Sequence, residues 1–179
     1  MSNALEPGDQ LILPFAEKEY VDVGRAMRIL GVQRSTIYRM AKPGYRDEGA
    51  AIKLVEYHHR MRKRVLYSSI VAFCDFLRAE YGIADRRPPL ANPMFRHRDC
   101  DLLPFPLSDT IYLAEAMEAL GYRDERPVVH LIEEGRFDGY QLSKENAWRI
   151  SRTSFKRFLA ETRDKEFAAL RSFAIAGSR

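Results

Sequence analysis

The densest run of chemically capable side chains is His58-His59-Arg60-Met61-Arg62-Lys63-Arg64, with four permanent cations in five positions. Like charges this close repel one another unless an anion sits among them, so the run points to phosphate binding. The histidine pair raises the question of a metal. Adjacent residues of a strand point to opposite faces, so His58 and His59 chelate poorly and no metal is expected. A second stretch, Arg34-Ser35-Thr36-Ile37-Tyr38-Arg39 with Lys42, interleaves cations with hydroxyls. Arg34 and Arg39 can pair with guanine edges or phosphates, and Ser35, Thr36 and the Tyr38 hydroxyl can bond phosphate. The competing reading is a solvated surface helix whose Tyr38 packs sideways. Enzyme motifs are missing: there is no GxGxxG, GxxxxGK[ST], HExxH or GxSxG. Asp99-Cys100-Asp101 with His97 could form a thiol site, but the neighbouring prolines give it no shaped pocket. Cys74 and Cys100 are too few for a disulfide framework and too far apart for a CxxC zinc pair, so both read as reduced thiols. The expectation is a binding protein without cofactor or catalytic residue.

The elements that would carry these groups follow from periodicity. Val23, Ala26, Met27 and Leu30 form one face of a helix, and Gly31 ends it as a glycine able to take positive φ. A second short helix, 34–41, points Ile37 and Met40 inward, and Pro43-Gly44 ends it. Helix, tight glycine turn, helix is a helix-turn-helix pattern. Ile52-Lys53-Leu54-Val55 and Val65-Leu66-Tyr67 are β-prone runs that place the basic tip 58–64 on a hairpin. Ser68 or Ser69 is expected to cap a last helix carrying Ile70, Phe73, Phe76 and Leu77.

The chain then repeats itself. At an offset of 90 residues, Leu13-Pro14-Phe15 falls on Leu103-Pro104-Phe105, Ala26-Met27 on Ala116-Met117 and Leu30-Gly31 on Leu120-Gly121. Seven of nineteen positions are identical between 13–31 and 103–121 without a gap. The register slips afterwards, and Phe73-x-x-Phe76-Leu77 is matched to Phe155-x-x-Phe158-Leu159. In the second copy Asp124 caps a helix with Pro127 in its first turn, and Val128, Leu131 and Ile132 face inward before Gly135. Tyr140-Gln141-Leu142 and Trp148-Arg149-Ile150 form its hairpin, and Ser151 caps a helix reaching about Ala174. Between the copies, Pro88, Pro89 and Pro93 break any helix, giving a semi-stiff linker over 84–99. Its Arg86 and Arg87 either solvate it or lie along phosphates. The domains expected are therefore 10–83, linker 84–99, and 100–175. The fold class is α+β, mainly α with small β-hairpins.

Charge divides with the repeat. The chain carries +4 overall, with +5 in residues 10–83 and −3 in residues 100–170. A basic half beside an acidic half implies that only one copy is built for a polyanion. Asp124, Glu125, Glu133, Glu134 and Asp138 surround the second short helix of the second copy and would repel DNA. That copy could instead hold a protein, through dimerisation or by docking a recombinase. Arg149, Arg152, Lys156 and Arg157 still offer a weaker phosphate-facing strip. No apolar run reaches the roughly 20 residues that span a bilayer, and MSNALEPGDQ lacks the form of a signal peptide, so no membrane partner and a cytoplasmic location are expected.

The order helix, glycine turn, helix, hairpin, helix resembles the winged helix of the MerR and excisionase superfamily. The strings that carry the likeness are Val32-Gln33-Arg34-Ser35-Thr36-Ile37-Tyr38-Arg39, and Gly135-Arg136-Phe137 with Trp148-Arg149-Ile150-Ser151. The first is similar to the family's turn and recognition helix, the second to its wing and the start of its last helix. The resemblance implies two tandem winged helix-turn-helix domains that bind double-stranded DNA. A helix enters the major groove, and the basic wing follows the backbone or minor groove. It implies an excisionase-like architectural or regulatory factor of a phage or mobile element, acting in DNA recombination. The alternatives are a MerR-like transcription regulator and a terminase-small-subunit-like packaging adaptor.

Overall fold

The computed structural model describes residues 19–42, 45, 51–57, 62–87, 97–143 and 146–176. The protein is mixed α+β, with six α-helices and two three-stranded antiparallel sheets among the described residues. Its contacts divide it into two compact units. The first comprises 1–108 with 142–145, and the second 109–141 with 146–179. None of the described helices is long and apolar enough to cross a membrane.

In the first unit, β1 (Tyr20–Asp22) leads directly into α1 (Val23–Leu30). Asp22 takes an extended backbone and its carboxylate accepts the Arg25 N–H, closing the first turn. Gly31 ends the helix at φ 60°, a conformation that favours glycine. The buried face is Val23, Ala26, Ile29 and Leu30, with Met27 only half-buried. Helix α2 (Arg34–Met40) buries Ile37 and Met40 and leaves Arg34, Ser35 and Arg39 exposed. Strands β2 (Leu54–Tyr57) and β3 (Arg62–Leu66) form the hairpin, and α3 (Tyr67–Glu80) follows without a break. The sheet order is β1-β3-β2, with Val21 opposite Val65. The Pro43-Gly44 stop and the hairpin tip at 58–61 lie outside the described residues, as do Pro88, Pro89 and Pro93.

The second unit repeats the order. It consists of β4 (Thr110–Tyr112), α4 (Leu113–Leu120), α5 (Arg126–Glu133), β5 (Gly139–Tyr140), β6 (Arg149–Ser151) and α6 (Arg152–Ala176). Its sheet order, β4-β6-β5, matches the first, and Ile111 stands opposite Ile150 as Val21 does opposite Val65. Strands and first helices sit 90 residues apart in the two units, in line with the sequence match. Its core gathers Ile111, Ala116, Val128, Ile132, Phe137, Ile150 and Phe155, with Phe137 and Phe155 edge-to-face at 5.1 Å. The hairpin is shorter than expected, since Leu142 falls outside β5 and belongs to the first unit.

Three expectations are corrected by hydrogen bonding. Helix α3 begins at Tyr67, so neither Ser68 nor Ser69 is its cap, and its N-cap Leu66 makes no side-chain bond. Ser69 lies inside the first turn instead. Its hydroxyl donates to the Leu66 carbonyl at 2.6 Å and accepts the Lys53 N–H at 3.0 Å, while the Leu66 N–H bonds the Lys53 carbonyl. The second unit reproduces this clasp bond for bond. Ser154 donates to the Ser151 carbonyl and accepts the Asp138 N–H, and the Ser151 N–H bonds the Asp138 carbonyl. The matching residues are 85 apart, so the match of Phe73 to Phe155, at 82, is one helical turn out: Ile70 corresponds to Phe155, and Phe73 to Phe158. Ser151 is a true cap, accepting the Ser154 N–H. Asp109 completes that helix start by accepting from Ser151 Oγ and from Thr153 N and Oγ1. Burial works against its charge, but these donors hold its carboxyl below the ordinary value.

The third correction concerns the linker. The segment around 99–105 packs as part of the first unit, whose main span runs to 108, where the sequence pattern ends the first domain at 83 and begins the second at 100. Arg78, 6% exposed, donates through Nη2 to the carbonyls of Asp101, Leu102 and Leu103, and Asp99 pairs with Arg25 at 2.7 Å. Leu102, Leu103 and Phe105 are buried. Replacing Ser69 or Ser154 with Ala leaves a part-buried N–H without its partner, and each change is expected to cost about 1 kcal/mol of stability. Urea unfolding of the two single variants measures this, and a loss within error of zero would mean water replaces the hydroxyl.

Candidate nucleic-acid interface

A groove of about 630 Å³ opens on the first unit between the start of α1, the outer face of α2 and strand β3. Arg34 and Tyr38 enter it from the helix, Lys63 and Arg64 from the strand, and Asp22, Val23 and Gly24 from the β1–α1 junction. The sequence sets this up through three local choices. Ile37 and Met40 bury one face of α2, which turns Arg34, Tyr38 and Arg39 outward. Val65 is buried in the central strand, and Lys63 and Arg64 are exposed beside it. The Lys63 ammonium lies 5.5 Å from the Tyr38 ring centre, which joins helix to strand by a cation–π contact.

The two basic runs singled out in the sequence thus meet in one place, at least for Arg34, Tyr38, Lys63 and Arg64. Ser35 and Lys42 are exposed on the same helix side of the unit and Thr36 is half-buried, but none of the three lines the groove. Arg39 is exposed with its guanidinium 5.8 Å from the Tyr45 ring centre. His58, His59 and Arg60 lie outside the described residues, and of Arg62 only the backbone, in β3, is described. Among the described residues of the groove wall, Asp22 is the one carboxylate. Its Oδ1 is committed to the Arg25 N–H at 2.8 Å, and sequence reading did not single it out. A Cβ on Gly24 would come within 2.9 Å of that oxygen, so glycine there leaves the cap undisturbed.

The weaker candidates fare unequally. Arg87 is drawn to Asp85 and Asp75, the latter at 2.9 Å, and its hydrogen bond holds the Asp85 carboxyl far below the ordinary value. That guanidinium is occupied by carboxylates rather than offered to phosphate. Arg86 is exposed in irregular chain. Arg149 is corrected outright. It is 6% exposed, its guanidinium lies 5.9 Å from the Tyr140 ring centre and donates to the Tyr140 hydroxyl, so it belongs to the core of the second unit. Arg152, Lys156 and Arg157 are exposed on α6. Helix α5, which corresponds to α2, is flanked by exposed Asp124, Glu125 and Glu134 and exposes Arg126 and Glu133, with His130 paired to Glu134 at 3.1 Å.

Cys74 is buried and Cys100 exposed. Burial and the neighbouring Asp101 push the Cys100 thiol up, which lowers its nucleophilicity at neutral pH. Among the described residues no group of three or more His, Cys, Asp or Glu is placed to hold a metal.

Arg149→Ala is expected to remove about 1–3 kcal/mol of fold stability, because a buried charged donor and its aromatic partner are lost together. Chemical unfolding reads this directly, and an unchanged midpoint would return Arg149 to the surface strip. The chain matches no family model, no curated protein and no solved structure.

Proposed function

We propose that the protein binds double-stranded DNA through its first unit, with the two units acting as tandem winged helix-turn-helix domains of unequal charge. The observation that carries the reading is the groove where Arg34 and Tyr38 of α2 meet Lys63 and Arg64 of β3. Three cations and a phenol gathered by a helix and a hairpin strand suit a duplex, whose phosphates and base edges are reached together by such a pair. In this reading α2 lies in the major groove and the hairpin tip follows the backbone. Arg39 and Arg34 reach base edges, and Lys63 and Arg64 neutralise phosphates. The resemblance to excisionases assigns the protein to recombination or regulation on a mobile element, and that assignment rests on the sequence strings alone.

Replacing Arg34, Lys63 and Arg64 together with Ala should weaken binding to all duplexes and reduce the salt slope, d log K/d log[salt], by about 2–3. An unchanged slope would remove this groove from the interface. Fragment 1–108, the main span of the first unit, should bind a given duplex at least about tenfold more tightly than fragment 109–179 at the same salt. Equal affinities would mean that the acidic face of α5 points away from DNA and both units read the duplex.

A further inference from the structure

The groove of the first unit holds two charged groups of opposite sign that stay apart. Arg34 enters it from α2, and Asp22 stands in its wall where β1 meets α1. Both are exposed. The Asp22 carboxylate is pinned on one side, since Oδ1 accepts the Arg25 N–H at 2.8 Å. Neither its Oδ2 nor the Arg34 guanidinium has a hydrogen-bond or ion-pair partner among the described residues. Charge balance alone does not explain a carboxylate here, because it pairs with none of the three cations that line the groove with it.

Nor does the cap explain it. Asn and Ser close a helix start as well as Asp does, and neither puts a negative charge beside a polyanion. In the second unit Tyr112 holds the position of Asp22, 90 residues on, and α4 there is as long as α1. Its first turn is closed from the other side, with Glu115 accepting the Tyr112 N–H at 3.2 Å. The fold thus takes a residue without charge at this position. Gly24 keeps the carboxylate of the first unit undisturbed, since a Cβ there would crowd Oδ1 at 2.9 Å.

A carboxylate repels phosphates and accepts from amino groups, and a duplex carries amino groups only on its base edges. In the major groove guanine shows two acceptors, O6 and N7, and its partner cytosine shows the N4 amino donor beside them. Adenine's amino group stands next to the N7 acceptor, which a carboxylate repels, so cytosine is the better partner. We infer that Arg34 and Asp22 together read one G·C pair, Arg34 donating to guanine and Asp22 Oδ2 accepting from cytosine N4. This rests on the duplex-binding reading above and adds a specificity residue to it. Lys63 and Arg64, on β3, are left to the phosphates.

The test is selection of duplexes from a randomised pool by the full chain and by Asp22→Asn, which keeps the cap. The wild-type motif should contain a position where cytosine is preferred about tenfold over the other bases. In Asp22→Asn the Arg25 N–H holds the amide oxygen, so the amide NH2 faces the duplex. That one position should turn from cytosine to an acceptor base, guanine or thymine. Arg34→Ala should blur the same base pair, and an effect confined to a different pair overturns the joint reading. On the selected site, replacing that cytosine with 2-pyrimidinone, which lacks the 4-amino group, should weaken wild-type binding about tenfold and should not weaken Asp22→Asn. The analogue probes the unmutated chain directly. An identical motif from both proteins, or a pyrimidinone site bound as tightly as cytosine, overturns the inference and leaves the duplex-binding reading standing. So does tighter binding of Asp22→Asn to every duplex with no position changed, which would make Asp22 a charge and nothing more. A chain that selects no duplex overturns both.

Discussion

A strand that runs straight into a helix buries backbone polar groups at the junction, and each of them needs a partner. In both units that need is met by a serine one turn into the helix, Ser69 or Ser154. Its hydroxyl stands between the carbonyl three residues back and the N–H of the residue leading toward the hairpin. One small side chain thereby fixes three things: where the last helix begins, how the central strand is aligned, and where the hairpin departs. Threonine carries the same hydroxyl but adds a methyl at a site with 1% exposure around Ser154 and 8% around Ser69, so serine fits where bulk does not.

The groove depends on that alignment. With Val65 held opposite Val21, Lys63 and Arg64 emerge at the level of α2, and the Lys63 ammonium reaches the Tyr38 ring. A slip of one residue along β3 would exchange its faces, burying Arg64 and exposing Val65. The cost of burying an unpaired guanidinium is several kcal/mol, far above any gain from the cation–π contact, so the core sets the register and the charged surface follows.

What the sequence disclosed and what it withheld have the same physical origin. Helix α1 was legible because its apolar spacing and Gly31 are local signals, and the 90-residue repeat was legible because the strand and helix it covers are equal in length. The pairing of α3 with α6 was misread because a slip of three residues is nearly a full helical turn, so Phe-x-x-Phe-Leu looks alike in either register. Only hydrogen bonds at the strand–helix junction separate the two. The edge of the first unit was hidden because Arg78 reads as a solvated position on an amphipathic helix, while its acceptors lie 23–25 residues further on. Arg149 was misplaced for a similar reason. The sequence pairs its strand with the one carrying Tyr140, but the register that sets Arg149 opposite Tyr140 is not a local signal.

Two copies of one backbone thus carry different surfaces, and the charges on and around α2 and α5 differ at exposed positions. Ile37 and Val128 are both fully buried in their units, yet the exposed charged residues near them are Arg34 and Arg39 in one case and Glu125, Arg126 and Glu133 in the other. Core positions are held by packing, where a change of even one methylene is felt, whereas exposed positions tolerate reversal of charge at a cost of a few tenths of a kcal/mol. A duplicated fold can therefore shed its affinity for a polyanion in one copy without weakening the clasp, the sheet order or the helix register. In this chain the same clasp bonds recur in both units while the net charge falls from +4 in the first unit to 0 in the second, so charge has diverged where the clasp has not.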